Sequence, residues 1–475
     1  MKFKSINPGI TEISDNFIKW DMTLILLFIF ELVVMVLSGF TSFWVIPAVI
    51  GLILCVICFF LLENFLLYIY ILIFPLLPLL PPRLNTLAVW SGFLILLVIW
   101  LIRTYNNNLY YESLPGYIRY FVFGFIFLST LATLNATNLA NSIVELFRIY
   151  TLFLFLMLLY NFVVKIKHIK IIFNIAITST IIVAIISLPE ILTFTPSDII
   201  SGSLVKIRLN SFYNNANNLS IPFMFSIPLL VSKLIFFEKN TKHKTLKSIF
   251  FLVAFLFFIY IVLLTNSRSA ILCIVFSLFV LFMSFKIGRI ISFVSISLFV
   301  LILPFIAEFL FVLLRLERGF TGRDVLWKAA IDMIKDYPFL GVGPGNYESL
   351  KTLYIIPVDF FTEFTRLEAM SGAAHNLFLT ISAENGILTG IILYVFLIYV
   401  FIKFIKLIKL TNNKEYKYIL YSMFAVLFGL FMRTFVESGI IIGSARINDN
   451  IYFLVPLVAL ARMEKIILRD KNLGI

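Results

Sequence analysis

Histidine is scarce in this chain, and one of its three stands apart. His168 and His243 lie among lysines, whereas His375 sits in Ala374-His375-Asn376-Leu377, where a helix is expected to open and run through Glu384-Asn385-Gly386 into the next apolar run. Imidazole is the side chain whose ordinary pKa lies nearest neutrality, so His375 is a candidate general base. Arginine offers the second kind of chemistry. Thr321-Gly322-Arg323-Asp324 matches a capping box, with Thr321 as N-cap and Asp324 reaching back to it. Arg323 then stands in the first turn of a helix beside free backbone N–H groups, which suits a phosphate.

Other chemistries lack the patterns that would mark them, though a Ser-His-Asp triad stays open. His375 with the scattered Asp332, Asp336, Glu348 and Glu368 makes no metal-ligand spacing. Gly341-Val342-Gly343-Pro344-Gly345 lacks the Lys and Ser/Thr of a P-loop and reads as a turn. No G-x-S-x-G elbow occurs. Cys55, Cys58 and Cys273 all lie in apolar runs and form no disulfide framework. Glu145 and Arg148 are one turn apart and can pair. Arg433 and Glu437, four apart, read as a structural ion pair on one helix face.

Positioning these groups falls to a membrane bundle. Hydrophobic residues make up 61% of the 475 and charged residues 13%, against roughly 25% charged in soluble domains. That composition excludes a soluble multidomain enzyme and a disordered chain. Apolar runs of about 20 residues, the length needed to cross a bilayer, start near residues 22, 43, 65, 85, 120, 142, 169, 219, 248, 269, 290, 386, 418 and 450. The run near 65 is short and ends at Pro81-Pro82, and the last is weak. The expectation is an all-α polytopic integral membrane protein of about 12–14 transmembrane helices.

Seven basic clusters orient it: residues 2–19, 103–119, 165–170, 233–247, 286–289, 403–417 and 462–471. All fall on one side of these spans, which makes that side and both termini cytoplasmic. The net charge of +13 is therefore read as topology and not as nucleic-acid binding. Basic residues left for the outer side are ten arginines, Arg208, Arg268 and Arg323 among them, and four lysines. A planar guanidinium grips phosphate bidentately where an ammonium does not, so this bias points to an anionic ligand outside. Between the spans ending near residue 314 and starting near 386 lies the one long hydrophilic stretch. Its apolar residues Val325, Leu326, Ala329, Ala330, Met333 and Ile334 follow helical spacing until Asp336-Tyr337-Pro338 stops the helix.

These residues resemble a known family. Arg323-x-x-x-Trp327, the run from Asp336 to Asn346, His375-Asn376-Leu377-Phe378-Leu379 and Glu384-Asn385-Gly386 look like the signature domain of the O-antigen ligase and polymerase superfamily. Thr265-Asn266-Ser267-Arg268-Ser269-Ala270 is similar to that family's Ser-Arg-Gly segment, with Ser269 where glycine is usual. Residues 208–220, with Asn214, Asn217 and Asn218, are similar to its asparagine-rich loop. The resemblance covers roughly residues 200–460. It divides the chain into an N-terminal transmembrane bundle (1–200), a catalytic region (201–460, including the loop 315–385) and a basic cytoplasmic tail (461–475).

The resemblance implies a GT-C-like, metal-independent glycosyltransferase with no cofactor, in the bacterial cytoplasmic (inner) membrane with its active site on the extracytoplasmic face. Its donor would be an undecaprenyl-pyrophosphate-linked oligosaccharide and its acceptor a glycan or lipid. Its other partners would be membrane lipids, a flippase and a chain-length regulator, and no nucleic acid. By the same analogy His375 is the base, Arg268, Arg323 and Arg208 hold the pyrophosphate, and Asn376 and Glu384 support them. Polymerisation of polysaccharide repeat units is the leading reading. The alternatives are ligation to lipid A-core or to a protein hydroxyl and, less favoured, a flippase or transporter, for which the sequence shows no internal repeat.

Overall fold

The computed structural model describes residues 64–105, 111–194, 208–236, 244–285, 288–290, 323–355, 373–442 and 447–472. Regular structure among them is entirely helical. The chain divides into two compact units, residues 1–69 and 70–475. Of the first, the described part is Asn64, held at φ +63°, and the start of α1 (Phe65–Ile73). A 3-10 turn over Phe74–Leu79 follows, where Pro75 and Pro78 break the α-helical ladder.

The second unit continues with α2 (Pro82–Tyr105), α3 (Gly116–Thr133), α4 (Leu139–Phe162), α5 (Ile166–Ile186), α6 (Leu188–Thr193), α7 (Ala216–Phe236), α8 (Lys244–Thr265) and α9 (Arg268–Met283). After residue 322 come α10 (Arg323–Asp336), α11 (Tyr347–Tyr354), α12 (Leu377–Asn385), α13 (Ile387–Leu410), α14 (Lys414–Arg433) and α15 (Ile447–Asn472). Eight of the described helical stretches are long and apolar enough to cross a membrane. The protein is an all-α polytopic membrane protein. Expected spans near residues 22 and 43, and most of that near 290, lie outside the described residues, as does the proposed N-cap Thr321.

Polar caps start these helices. Asn138 accepts from the Asn141 N–H, Ser267 from Ala270, Asn376 from Leu379, and Asn413 from Glu415 and Tyr416. Each satisfies backbone donors that the first turn cannot pair internally. At the centre stands α7, buried along most of its length despite Pro222 and Pro228. Hydroxyls compensate the interrupted backbone there: Thr180 on α5 bonds Ser226 at 2.7 Å, and Ser226 donates to the Ala176 carbonyl at 3.1 Å. α9 runs antiparallel along α14, where Gly429 faces Cys273 and Ser277 with no room for a side chain between them. Outward-facing positions such as Leu87, Phe123, Val253 and Val395 are exposed, as a lipid-facing surface requires.

Alternating helix directions sort the loops to two ends. One end holds Lys170 paired with Glu415, Lys465 with Glu112, and Tyr416 with Asp470. The other holds α10, α11 and α12, whose small core is Ala330, Met333, Val342, Tyr347, Ala374 and Ala383. The buried stripe of α10 is Leu326, Ala329, Ala330 and Met333, and the helix stops at Asp336.

One expectation needs correction. The helix opened at His375 does not run on into the membrane, because it ends at Asn385. Gly386, at φ +83°, turns the chain before α13 begins, and its Cα lies so close to the Phe339 carbonyl that no β-carbon fits. The basic segment after residue 461 is helical as far as Asn472. It is the last three turns of α15, and Arg462 within it is buried.

Candidate active site

The glycine run is a turn that ties distant parts of the chain together. Gly341, Gly343 and Gly345 have φ of +66°, +94° and +75°, a region that side-chain-bearing residues avoid. Val342 and Gly343 donate to the carbonyls of Ala383 and Glu384, both at 2.9 Å, which seats the turn on the end of α12. From the other side, Asn135 Nδ2 donates to the Gly341 carbonyl at 2.8 Å and the Thr137 N–H to Val342 O at 3.1 Å. Ser142 Oγ donates to Pro344 O at 2.9 Å and accepts from Asn346 Nδ2 at 3.0 Å. The loop and first turn around residues 135–142 thus clamp a segment some 200 positions later.

Glu384 belongs to this clamp. It lies nine residues after His375, about 13 Å along the helix axis, and its Oε1 accepts from the Tyr347 N–H at 3.2 Å. Burial pushes its carboxyl up to about 8, the charge of Glu145 adds to that, and backbone N–H groups of Gly345 and Tyr347 only partly oppose it. A carboxyl raised above its unfolded value stabilises the fold fully below about pH 4.5, and that contribution is lost as pH rises through about 8. Amide exchange at Val342 and Gly343 is accordingly expected to quicken between pH 5 and pH 8.5 beyond its intrinsic rate. Glu384→Gln should abolish the extra acceleration; an unchanged profile in the variant would assign it to another group.

His375 stands at the other end of α12, in the left-handed region at φ +50°. For a non-glycine residue this conformation costs about 1–3 kcal/mol and persists only where surroundings impose it. Here the next residues are pinned: the Leu377 N–H donates to Thr434 O at 2.9 Å and Asn376 Nδ2 to Phe435 O at 3.3 Å. Asn376 is therefore both the cap of α12 and its tether to the turn after α14. That turn brings in Glu437, whose N–H bonds the Arg433 carbonyl at 2.9 Å.

Glu437 is the hub. Its Oε2 lies 2.8 Å from His375 Nδ1, while its Oε1 accepts from Arg323 Nη2 and from Asn217 Nδ2, each at 3.0 Å. Four elements meet there: α7, α10, the start of α12 and the turn after α14. Burial pushes the Glu437 carboxyl up, but the hydrogen bond and charge of His375, with Arg433 and Arg323, outweigh it and hold it down to about 2. It is a carboxylate at every physiological pH. The expected Arg433–Glu437 pair does not lie on one helix face, because α14 ends at Arg433; Arg433 acts on Glu437 through its charge, while the hydrogen bonds of the carboxylate go to Arg323, His375 and Asn217.

Arg268, Arg208 and Arg148 share this end of the bundle. Arg268 is the first residue of α9, and the antiparallel packing at Gly429 and Cys273 sets its end beside that of α14. Arg208 is exposed next to Leu209, whose N–H bonds the Leu264 carbonyl near the end of α8. Arg148 pairs with Glu145 at 2.8 Å. It faces a cavity of about 770 Å3 lined also by Trp90, Tyr213, Asn214, Asn218 and Tyr452. Asn217 on the hub and Asn218 on the cavity are successive residues in the first turn of α7. No cluster of metal-ligating side chains occurs among the described residues.

An imidazole held by a carboxylate beside a guanidinium group, at one end of a membrane bundle, is an arrangement able to take a proton and to offset negative charge. Residues 253–395 match the model of a family described as O-antigen ligase, which supports the O-antigen ligase and polymerase superfamily and, in general terms, a glycosyltransferase of that type. The match encloses Arg268, Arg323, the glycine run and His375, and it excludes Arg208, Asn217 and Glu437. No curated protein matches the chain.

Arg323 spends one Nη2 donor on Glu437, and the planar fork keeps further donors in fixed directions for a second group, which the point charge of an ammonium does not reproduce. A charge-assisted hydrogen bond is worth ~1.5–3 kcal/mol, so Arg323→Lys is expected to lower transfer by about 10- to 100-fold with the protein still folded. Full activity in Arg323→Lys would reduce this residue to a general positive charge.

Proposed function

We propose that the protein transfers a glycan from a polyprenyl-pyrophosphate-linked donor to an acceptor hydroxyl at the outer face of the cytoplasmic membrane, without a metal, and that the acceptor is itself a lipid-linked glycan. The reaction is then polymerisation of polysaccharide repeat units. The observation that carries this reading is the His375–Glu437–Arg323 hub. Oriented by Glu437 through Nδ1, His375 presents Nε2 to the acceptor and takes its hydroxyl proton as the oxygen attacks the anomeric carbon. The bond from that carbon to the pyrophosphate oxygen breaks, and the lipid pyrophosphate departs with both electrons. Arg323, with Arg268 and Arg208 nearby, offsets the charge that grows on the leaving group.

The test is transfer by purified protein in detergent, with undecaprenyl-pyrophosphate-linked repeat units as the sole sugar source. A ladder of lengthening lipid-linked products is the expected result. Transfer only when lipid A-core or a hydroxyl-bearing protein is added would make the enzyme a ligase, and no transfer to any of these would overturn the reading. The orientation is tested by cysteine labelling from outside. Leu353 on α11 is 79% exposed, whereas its neighbour Lys351 is buried. A cysteine at Leu353 is expected to label in intact cells and one at Lys406 is not. The reverse pattern would place the hub on the cytoplasmic side.

A further inference from the structure

At the end of the bundle opposite His375, a second cavity of about 670 Å3 opens between the segment before α3, the end of α4, α13 and α15. Arg119, Lys403 and Lys465 stand in its wall, with Glu112 and Glu464. Behind the wall Arg462, 2% exposed, bonds Glu112 and the Tyr160 carbonyl, and its guanidinium packs 3.7 Å from the centre of the Tyr160 ring. Lys465 Nζ lies 2.7 Å from Glu112 Oε1. Lys403 bonds Glu464 and sits 5.1 Å over the Tyr117 ring. Arg119 packs 5.7 Å from the Tyr120 ring centre and meets no carboxylate among the described residues. Burial pushes the Glu112 carboxyl up, but Lys465 and Arg462 more than offset it, so it stays charged and those cations stay engaged.

Three basic groups in the wall, with Arg462 behind it, therefore stand against two acidic ones, and the cavity keeps an excess of positive charge that includes Arg119. Such an excess, recessed between helices at the membrane surface, attracts phosphate more strongly than an open lysine patch does. The surroundings suit a lipid. Tyr111, Tyr117 and Tyr160 line the cavity, the amphipathic ring type that is enriched at membrane–water interfaces. Ile398, Tyr399 and Ile402 on the adjoining turns of α13 are 52%, 39% and 43% exposed, leaving an apolar track on which acyl chains can lie. We propose that this cavity is an anion site that binds the phosphate of an anionic phospholipid headgroup or, by the same chemistry, free phosphate. The site is independent of the chemistry at His375.

The experiment is native mass spectrometry of the detergent-purified full chain, titrated with phosphatidylglycerol, phosphatidylcholine or inorganic phosphate. Phosphatidylglycerol is expected to bind in preference to phosphatidylcholine. Arg119→Gln should weaken that binding about five-fold, the order expected for one basic contact with an anionic headgroup. Lys406→Gln, at an exposed lysine on the same face outside the cavity, should leave it unchanged. Phosphatidylglycerol binding that persists in excess inorganic phosphate assigns the site to the lipid. Inorganic phosphate bound by the wild type and lost in Arg119→Gln, with no preference between the lipids, assigns it to a free anion. Equal lipid binding by Arg119→Gln and wild type, or equal losses in Arg119→Gln and Lys406→Gln, would overturn the proposal.

Discussion

His375→Ala is expected to lower turnover by about 100- to 10,000-fold, the usual worth of general-base catalysis, while donor binding through the arginines survives. The position complicates the choice of variant, because His375 is at φ +50°. Asparagine tolerates that region better than other side chains and lacks a basic nitrogen. His375→Asn is therefore the cleaner substitution: it keeps the turn and removes only the base. Both variants should show the same loss of transfer with thermal unfolding close to wild type. If His375→Asn turned over within a few-fold of wild type, the hydroxyl proton would be leaving by another route, such as late loss to water with the arginines supplying most of the acceleration.

Glu437→Gln is expected to cost nearly as much, about 10,000-fold by analogy with the carboxylate-to-amide exchange in hydrolase triads. A carboxylate accepts on both oxygens. It can take the donors of Arg323 and Asn217 on Oε1 and hold the Nδ1–H tautomer of His375 on Oε2, leaving Nε2 free as the base. An amide has one accepting atom. With its oxygen committed to Arg323 and Asn217, it turns its NH2 toward Nδ1, which forces the proton onto Nε2 and disarms the base. Glu437→Ala would be a poorer probe, because removing a carboxylate that is 10% exposed leaves Arg323 short of its counter-ion, a loss worth ~3–5 kcal/mol. Retained folding, retained donor binding and lost transfer in Glu437→Gln is the signature of a positioning residue. Activity within ten-fold of wild type would show that the carboxylate has no part in orienting the imidazole.

Hydropathy placed the starts of the eight described spans within four residues, while the runs expected near 65, 269 and 450 correspond to helices outside those eight. The helices mostly begin earlier than their apolar runs, because first turns are built from polar caps such as Asn138 and Asn413 that hydropathy does not count. His375 and Arg323 were legible for a different reason. Histidine is rare here, and Arg323 opens an amphipathic helix in the one long polar loop. Glu437 was not. Four-residue spacing after Arg433 suggested one more helical turn, yet the helix stops at Arg433, and the turn that follows carries the carboxylate to α12. A carboxylate just past the end of a span was the available signal. The clamp on the glycine run was beyond reach as well, since Asn135, Thr137 and Ser142 are unremarkable polar residues until the fold sets them against a turn two hundred positions away.

The hub also sets an order of assembly. The ribosome delivers Asn135 and its neighbours long before the glycine run, so the clamp for that turn is waiting when it emerges. Glu437 follows His375 by 62 residues, a delay of roughly 3–12 s at ~5–20 residues per second, and both α13 and α14 must insert in that interval. Until they do, Arg323 has no counter-ion and the imidazole no carboxylate to select its tautomer. On the proposed mechanism, a nascent or truncated chain that carries every residue of the matched segment is inert until α14 has crossed the bilayer.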